Sequence, residues 1–144
     1  MRVRADVLLP VAPEAAFDIL ARWEEQPRWM RDADRVDIVS EQRAGPGTRV
    51  AVRTRVLGIP LFTEVLEVVA WEPPRRIVVA HRSFVRGTGE WVLEPEAGGT
   101  RFAWTEELSL PIPAIGELAL LAYRSIMRRL MRASLANLRA LSSR

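Results

Sequence analysis

The stretch PAIGELALLAYRSIMRRLMRASLANLRAL, residues 113–141, decides the architecture of this 144-residue chain. Beyond Pro113 no proline interrupts residues 114–141. A helix over that run would be roughly 40 Å long, enough to cross a whole sheet. On a helical wheel Ile115, Ala119, Ala122, Tyr123, Ile126, Met127, Leu130, Ala133, Leu138 and Leu141 share one face. Glu117, Arg124, Arg128, Arg132 and Arg139 lie opposite, and this stripe reads as a solvated outer face. Leu121 and Leu135 fall within it, which leaves room for contact with a second subunit or a membrane surface.

Upstream the period changes. Residues 2–10 alternate, with Val3, Ala5, Val7 and Leu9 set against Arg2, Arg4 and Asp6, the mark of a strand. APEAAFDILARW then starts a helix with Pro13 suited to its first position; Pro27 ends it, and PRWM adds at most one turn. From residue 35 to residue 109 every apolar run is strand-like. Every break holds glycine or proline: GPG at 45–47, GIP at 58–60, EPP at 72–74, RGTG at 86–89 and EPEAGG at 94–99. That predicts about six further strands in antiparallel succession.

One strand, two short helices, six strands and a long helix do not make a sandwich. The sheet must bury one face, and the terminal helix is the only element large enough to cover it. The expected fold is therefore α+β, a single domain over residues 1–144. A curved seven-stranded antiparallel sheet wraps the C-terminal helix, and a ligand would sit in the space between them.

Composition narrows the function. There is no cysteine, so disulfides, thiolate metal sites and cysteine nucleophiles are excluded. All 21 basic residues are arginine. Residues 112–144 hold six arginines and one acid, whereas residues 1–111 hold 15 arginines and 17 acids. The net charge of +3 is thus a property of the tail, which argues against a broad nucleic-acid-binding face. The N-terminal apolar run is too short for a secretory signal, and the most apolar window, LSLPIPAIGELALLAY, carries two prolines and Glu117. A cytoplasmic protein without a transmembrane segment is expected, as monomer or homodimer.

The run GEWVLEPEAGGTRFAWTEEL, residues 89–108, reads as a hairpin. Pairing apolar with apolar sets Leu93 opposite Phe102 and Trp91 opposite Trp104, with Glu94 facing Arg101 on the other side. Continued, this register sets Gly89 opposite Glu106 and puts Glu106 on the tryptophan side. The inner face is then an aromatic wall ending in one carboxylate. By the same parity Val52 and Thr54 point inward from TRVAVRTRV. Leu66, Val68 and Ala70 point inward from TEVLEVVA, with Glu64 at the strand's start, more naturally on the rim than buried. In IVVAHRSF either His81 or Arg82 faces inward.

Other chemistries find no support. One histidine and no cysteine leave no imidazole or thiolate metal site, and no cofactor is implied. No serine sits in a nucleophile elbow, and GPGT and GTG lack the residues of a phosphate-cradling loop.

Three segments together resemble a known superfamily: PEAAFDILARWEEQPRWMRDADRVDIV, EVVAWEPPRRI and GTGEWVLEPEAGGTRF followed by the long helix. The chain is similar over essentially its whole length to START and birch-pollen-allergen-like proteins, in particular to bacterial polyketide cyclase/dehydrase-type members. The resemblance implies a helix-grip fold with an apolar cavity. It brings no catalytic signature to carry over. The expected function is binding of a small hydrophobic ligand (lipid, quinone or polyketide-like) as a carrier. The candidate contacts are Trp91, Leu93, Phe102, Trp104, Thr54, Val52, Leu66, Ala122 and Ile126. The alternatives are a cyclase/dehydratase-type enzyme using Glu106 and His81, or a module that docks on a protein or transiently on a membrane.

Overall fold

The computed structural model describes residues Met1–Arg144. The alternating run RVRADVLL forms β1 (Arg2–Leu9), which buries Val3, Ala5 and Leu9. Helix α1 (Pro13–Leu20) starts on Pro13 and buries Ala16, Phe17 and Leu20; a 3-10 turn, Trp23–Arg28, follows. The chain then meanders through β2 (Ala33–Ile38), β3 (Arg49–Val56), β4 (Ile59–Glu72), β5 (Arg76–Arg82), β6 (Arg86–Glu96) and β7 (Gly99–Ser109) before α2 (Ile115–Ser142). The seven strands form one antiparallel sheet in the order β1-β7-β6-β5-β4-β3-β2, so the first strand closes onto the last.

The β6–β7 register is the one that apolar matching dictates. Trp91 pairs with Trp104, Leu93 with Phe102, Glu94 with Arg101 and Gly89 with Glu106. On β4 the alternation fails. A register shift between Val68 and Ala70 reverses the facing of the residues beyond it. Ala70 pairs with Val78, whereas Trp71 pairs with the core residue Ile77 and packs against Phe17. Trp71 rather than Ala70 thus points into the core.

Helix α2 has the expected length but a different rotation. It buries Leu120, Met131, Ser134, Leu135 and Leu138, a face turned by about a quarter turn from the wheel of apolar residues. Leu135 leaves the arginine stripe and becomes core, while Ala122 and Ile126, expected to face the cavity, are exposed. The cause is where the helix is held. Ser134 Oγ accepts the Arg31 backbone N–H, Asn137 Nδ2 donates to the Trp29 carbonyl, and Arg139 donates to the Leu8 carbonyl. These ties clamp the C-terminal half onto β1 and the Trp29–Arg31 segment. In the N-terminal half only Gly116 and Leu120 are buried, and Tyr123 and Met127 are half-buried, as is Leu130 just beyond it.

Candidate functional site

All five tryptophans join one aromatic cluster. Trp23 stacks on Trp91 at 5.8 Å and lies 6.5 Å from Trp71; Trp29 lies 5.8 Å from Trp91 and 6.3 Å from Trp104. Phe17 and Phe102 complete it through Trp71 and Trp91. The aromatic wall of the β6–β7 hairpin is therefore covered by rings from the 3-10 turn and the loop after it. Trp91, Leu93, Phe102 and Val52 are buried members of the core, whereas Thr54 and Leu66 stay partly open.

Beyond Trp104 the interior turns polar. Trp104 Nε1 donates to Glu106 Oε1 at 2.8 Å, and Glu106 Oε2 lies 3.1 Å from His81 Nε2. His81 Nδ1 lies 3.3 Å from Glu64 Oε2. His81, not Arg82, faces inward; Arg82 is exposed and pairs with Glu67. Glu64 is drawn in from the expected rim position, with only 11% of its side chain accessible. Three strands supply this line: β4 gives Glu64, β5 His81 and β7 Trp104 and Glu106. The ladder pairs Leu66 with His81, and Gly89 with Glu106. Gly89 makes the close approach feasible, because a Cβ there would stand 2.8 Å from Glu106 Oε1.

The fourth ionisable member is Asp32, on the loop before β2. Burial foremost raises its carboxyl to about 6, against its own backbone N–H bond, and the charges of Glu106 and Glu64 raise it further. Asp32 in turn raises the Tyr123 hydroxyl above its ordinary value, adding to the larger effect of burial. Tyr123 is on α2, so the group spans from the sheet to the gripped helix. For His81, burial opposes the charged form. Hydrogen bonds donated to Glu106 and Glu64, with the charges of those carboxylates, outweigh burial and push the imidazole up to about 10. At neutral pH an imidazolium thus lies between two carboxylates, with a third carboxyl poised to titrate. A cleft lined by Asp18, Arg22, Glu25 and Ser142 has none of these groups in its wall. Its charges are on the outside, so the interior cluster is the candidate site.

Asp32 gives a direct test. Its proton is held more tightly in the folded chain than in the unfolded one, so stability falls as pH rises from about 4 to about 6 and the penalty persists above. Asp32→Asn removes that penalty. It is expected to stabilise the protein by about 1–3 kcal/mol at pH 7 and by nothing below pH 4. Urea unfolding of both proteins at pH 3.5, 5 and 7 checks the sign and the window.

A curled antiparallel sheet holding a long C-terminal helix is the START-like helix-grip fold. The chain belongs to the family described as polyketide cyclase / dehydrase and lipid transport, which matches residues 1–143. An uncharacterised Mycobacterium tuberculosis protein is 29% identical over 143 residues, covering 94% of this chain and 81% of the relative. Two solved structures share the fold. A Thermus thermophilus protein is 23% identical with a TM-score of 0.82, covering 99% of this chain and 97% of its own. The Zhui aromatase/cyclase from a Streptomyces species is 17% identical with a TM-score of 0.83, covering 100% of this chain and 94% of its own. No helix of the chain is long and apolar enough to cross a membrane.

Proposed function

We propose that the protein is a binder or carrier of a small, largely apolar molecule held between the sheet and α2, its polar end against Asp32, Glu64, His81 and Glu106. The observation that carries this reading is the ionisable cluster itself. Packing alone would favour an apolar interior there, because buried ion pairs are weak sources of stability. Thr54, Leu66, Tyr123, Met127 and Leu130 are each only half-buried, and in this reading they form the approach to the cluster. Within this reading Trp91, Leu93 and Phe102 form the floor of the site and Trp104 its junction with the polar end. Ala122 and Ile126 leave the contact set.

The experiment is a mass measurement under native conditions, set against the denatured mass, followed by titration with the neutral apolar dye N-phenyl-1-naphthylamine. A retained small molecule, or saturable quenching of tryptophan emission by the dye, is expected. A bare mass together with no saturable dye binding overturns the reading.

One observation favours a second reading, acid–base chemistry of the cyclase/dehydratase type. A carboxyl at about 6 is matched to proton transfer near neutral pH. Both His81 nitrogens face carboxylates, so Asp32 rather than His81 is the group free to act as base. An Asp32→Asn variant that binds a poly-β-ketone analogue normally, yet cyclises it at least about a hundredfold more slowly than wild type, is the outcome this reading requires.

A further inference from the structure

The six most exposed large apolar side chains are Leu57, Ile59, Leu61, Phe84, Ile115 and Leu118, each 60–76% exposed. They come from three separate segments: the β3–β4 hairpin, the β5–β6 turn and the first turn of α2. The sheet brings these segments to one end. Val56 pairs with Ile59, Arg82 with Arg86, and Arg86 with Ser109, the last residue of β7 before the chain enters α2. An apolar rim of this kind at a single end is not explained by packing within the chain.

The hairpin tip adds an independent sign. Leu57 and Gly58 both have positive φ, 52° and 82°, the conformation of a two-residue turn that favours Asn-Gly. Leucine is disfavoured there by its backbone and by water alike. Asparagine would serve the fold better, so the leucine answers to something outside it.

The arginines supply the charge. Of the 15 in residues 1–111, 12 lie within ion-pair distance of a carboxylate: Arg31, Arg49 and Arg86 do not. None of the six from Arg124 onward has such a partner. Arg124, Arg128, Arg129 and Arg132 follow Leu118 and Leu121 along α2, and Arg86 stands two residues after Phe84.

We propose that this end of the molecule, together with the outer face of α2 that runs from it, docks on an anionic lipid bilayer, with the apolar tips at the acyl boundary and the unpaired arginines along α2 on lipid phosphates. Both halves of the surface are needed for that partner: a nucleic acid would use the arginines and leave the leucines idle. A second copy meeting the same face would set unpaired arginines against one another, because a two-fold contact uses the same patch twice. The proposal does not depend on what the interior site binds.

The test is co-sedimentation with vesicles of phosphatidylcholine alone and of phosphatidylcholine mixed with phosphatidylglycerol. Partition into the mixed vesicles that weakens with added salt is expected, since surface attraction is screened over about a Debye length. Arg129→Gln with Arg132→Gln should lower partition about twentyfold. Leu57→Asn with Leu118→Ser should abolish it while leaving the melting temperature unchanged or higher, which separates docking from folding. Three results overturn the proposal. They are no partition into mixed vesicles at low salt, partition that survives both pairs of substitutions, and a stable dimer in solution that Leu118→Ser dissociates.

Discussion

Replacing Trp91 by alanine is expected to cost about 3–5 kcal/mol of folding stability, the range for truncating a large buried aromatic. The side chain is 6% exposed and its ring meets Trp23, Trp29 and Phe102, so its loss opens a hole bordered by rings from three elements. Those rings are fixed by their own neighbours and cannot all move in. For a domain of this size a loss of that order should lower the melting temperature by roughly 10 °C or more. Guanidinium unfolding gives the number directly. A loss below about 1.5 kcal/mol would mean that the cluster collapses into the gap, and that Trp91 belongs to an adaptable wall rather than to the core. Thr54→Val gives the contrast: Thr54 is half-buried at the open side of β3, and little change in stability is expected there.

How much of this could be read from the chain depends on whether the reading was local. The β6–β7 register follows from two short runs that must match on both faces, so Trp91–Trp104 and Gly89–Glu106 were legible in advance. The length of α2 was legible for the same reason. Its rotation was not, because the helix is positioned by hydrogen bonds that join Ser134, Asn137 and Arg139 to segments about 100 or more residues away. Apolar periodicity then misleads, since the ungripped half keeps Ile115 and Ile126 in the open. The facing of Trp71 was hidden by a bulge, which leaves no mark in a run of valines. Asp32 carried no signal at all in RDAD. Its character comes from burial and from carboxylates on β4 and β7, a conjunction that exists only after folding.

His81→Ala is expected to destabilise the protein by about 3–5 kcal/mol at neutral pH, the cost of removing one partner from a buried charge network. It would leave Glu64 and Glu106 facing each other without the cation between them. The pH dependence makes the attribution specific. His81 is raised from 6.5 to about 10, so its stabilising contribution is fully present below about pH 6.5 and is lost as pH climbs toward 10. The chain has no lysine and no cysteine, and its single tyrosine is raised above its ordinary value, so His81 is the side chain that titrates in that interval. Wild-type stability should therefore fall steadily between pH 7 and pH 10, and the curve of His81→Ala should be nearly flat. Gly89→Ala probes the same network more gently. The added methyl meets the end of a flexible side chain rather than backbone, so the Glu106 carboxylate should swing away from His81 with the strand left in place. Its alkaline loss should then be smaller and be complete at lower pH than in wild type. Parallel curves for all three proteins would show that the imidazolium is not what holds this end of the sheet together, and would move the polar end of the proposed site to Asp32.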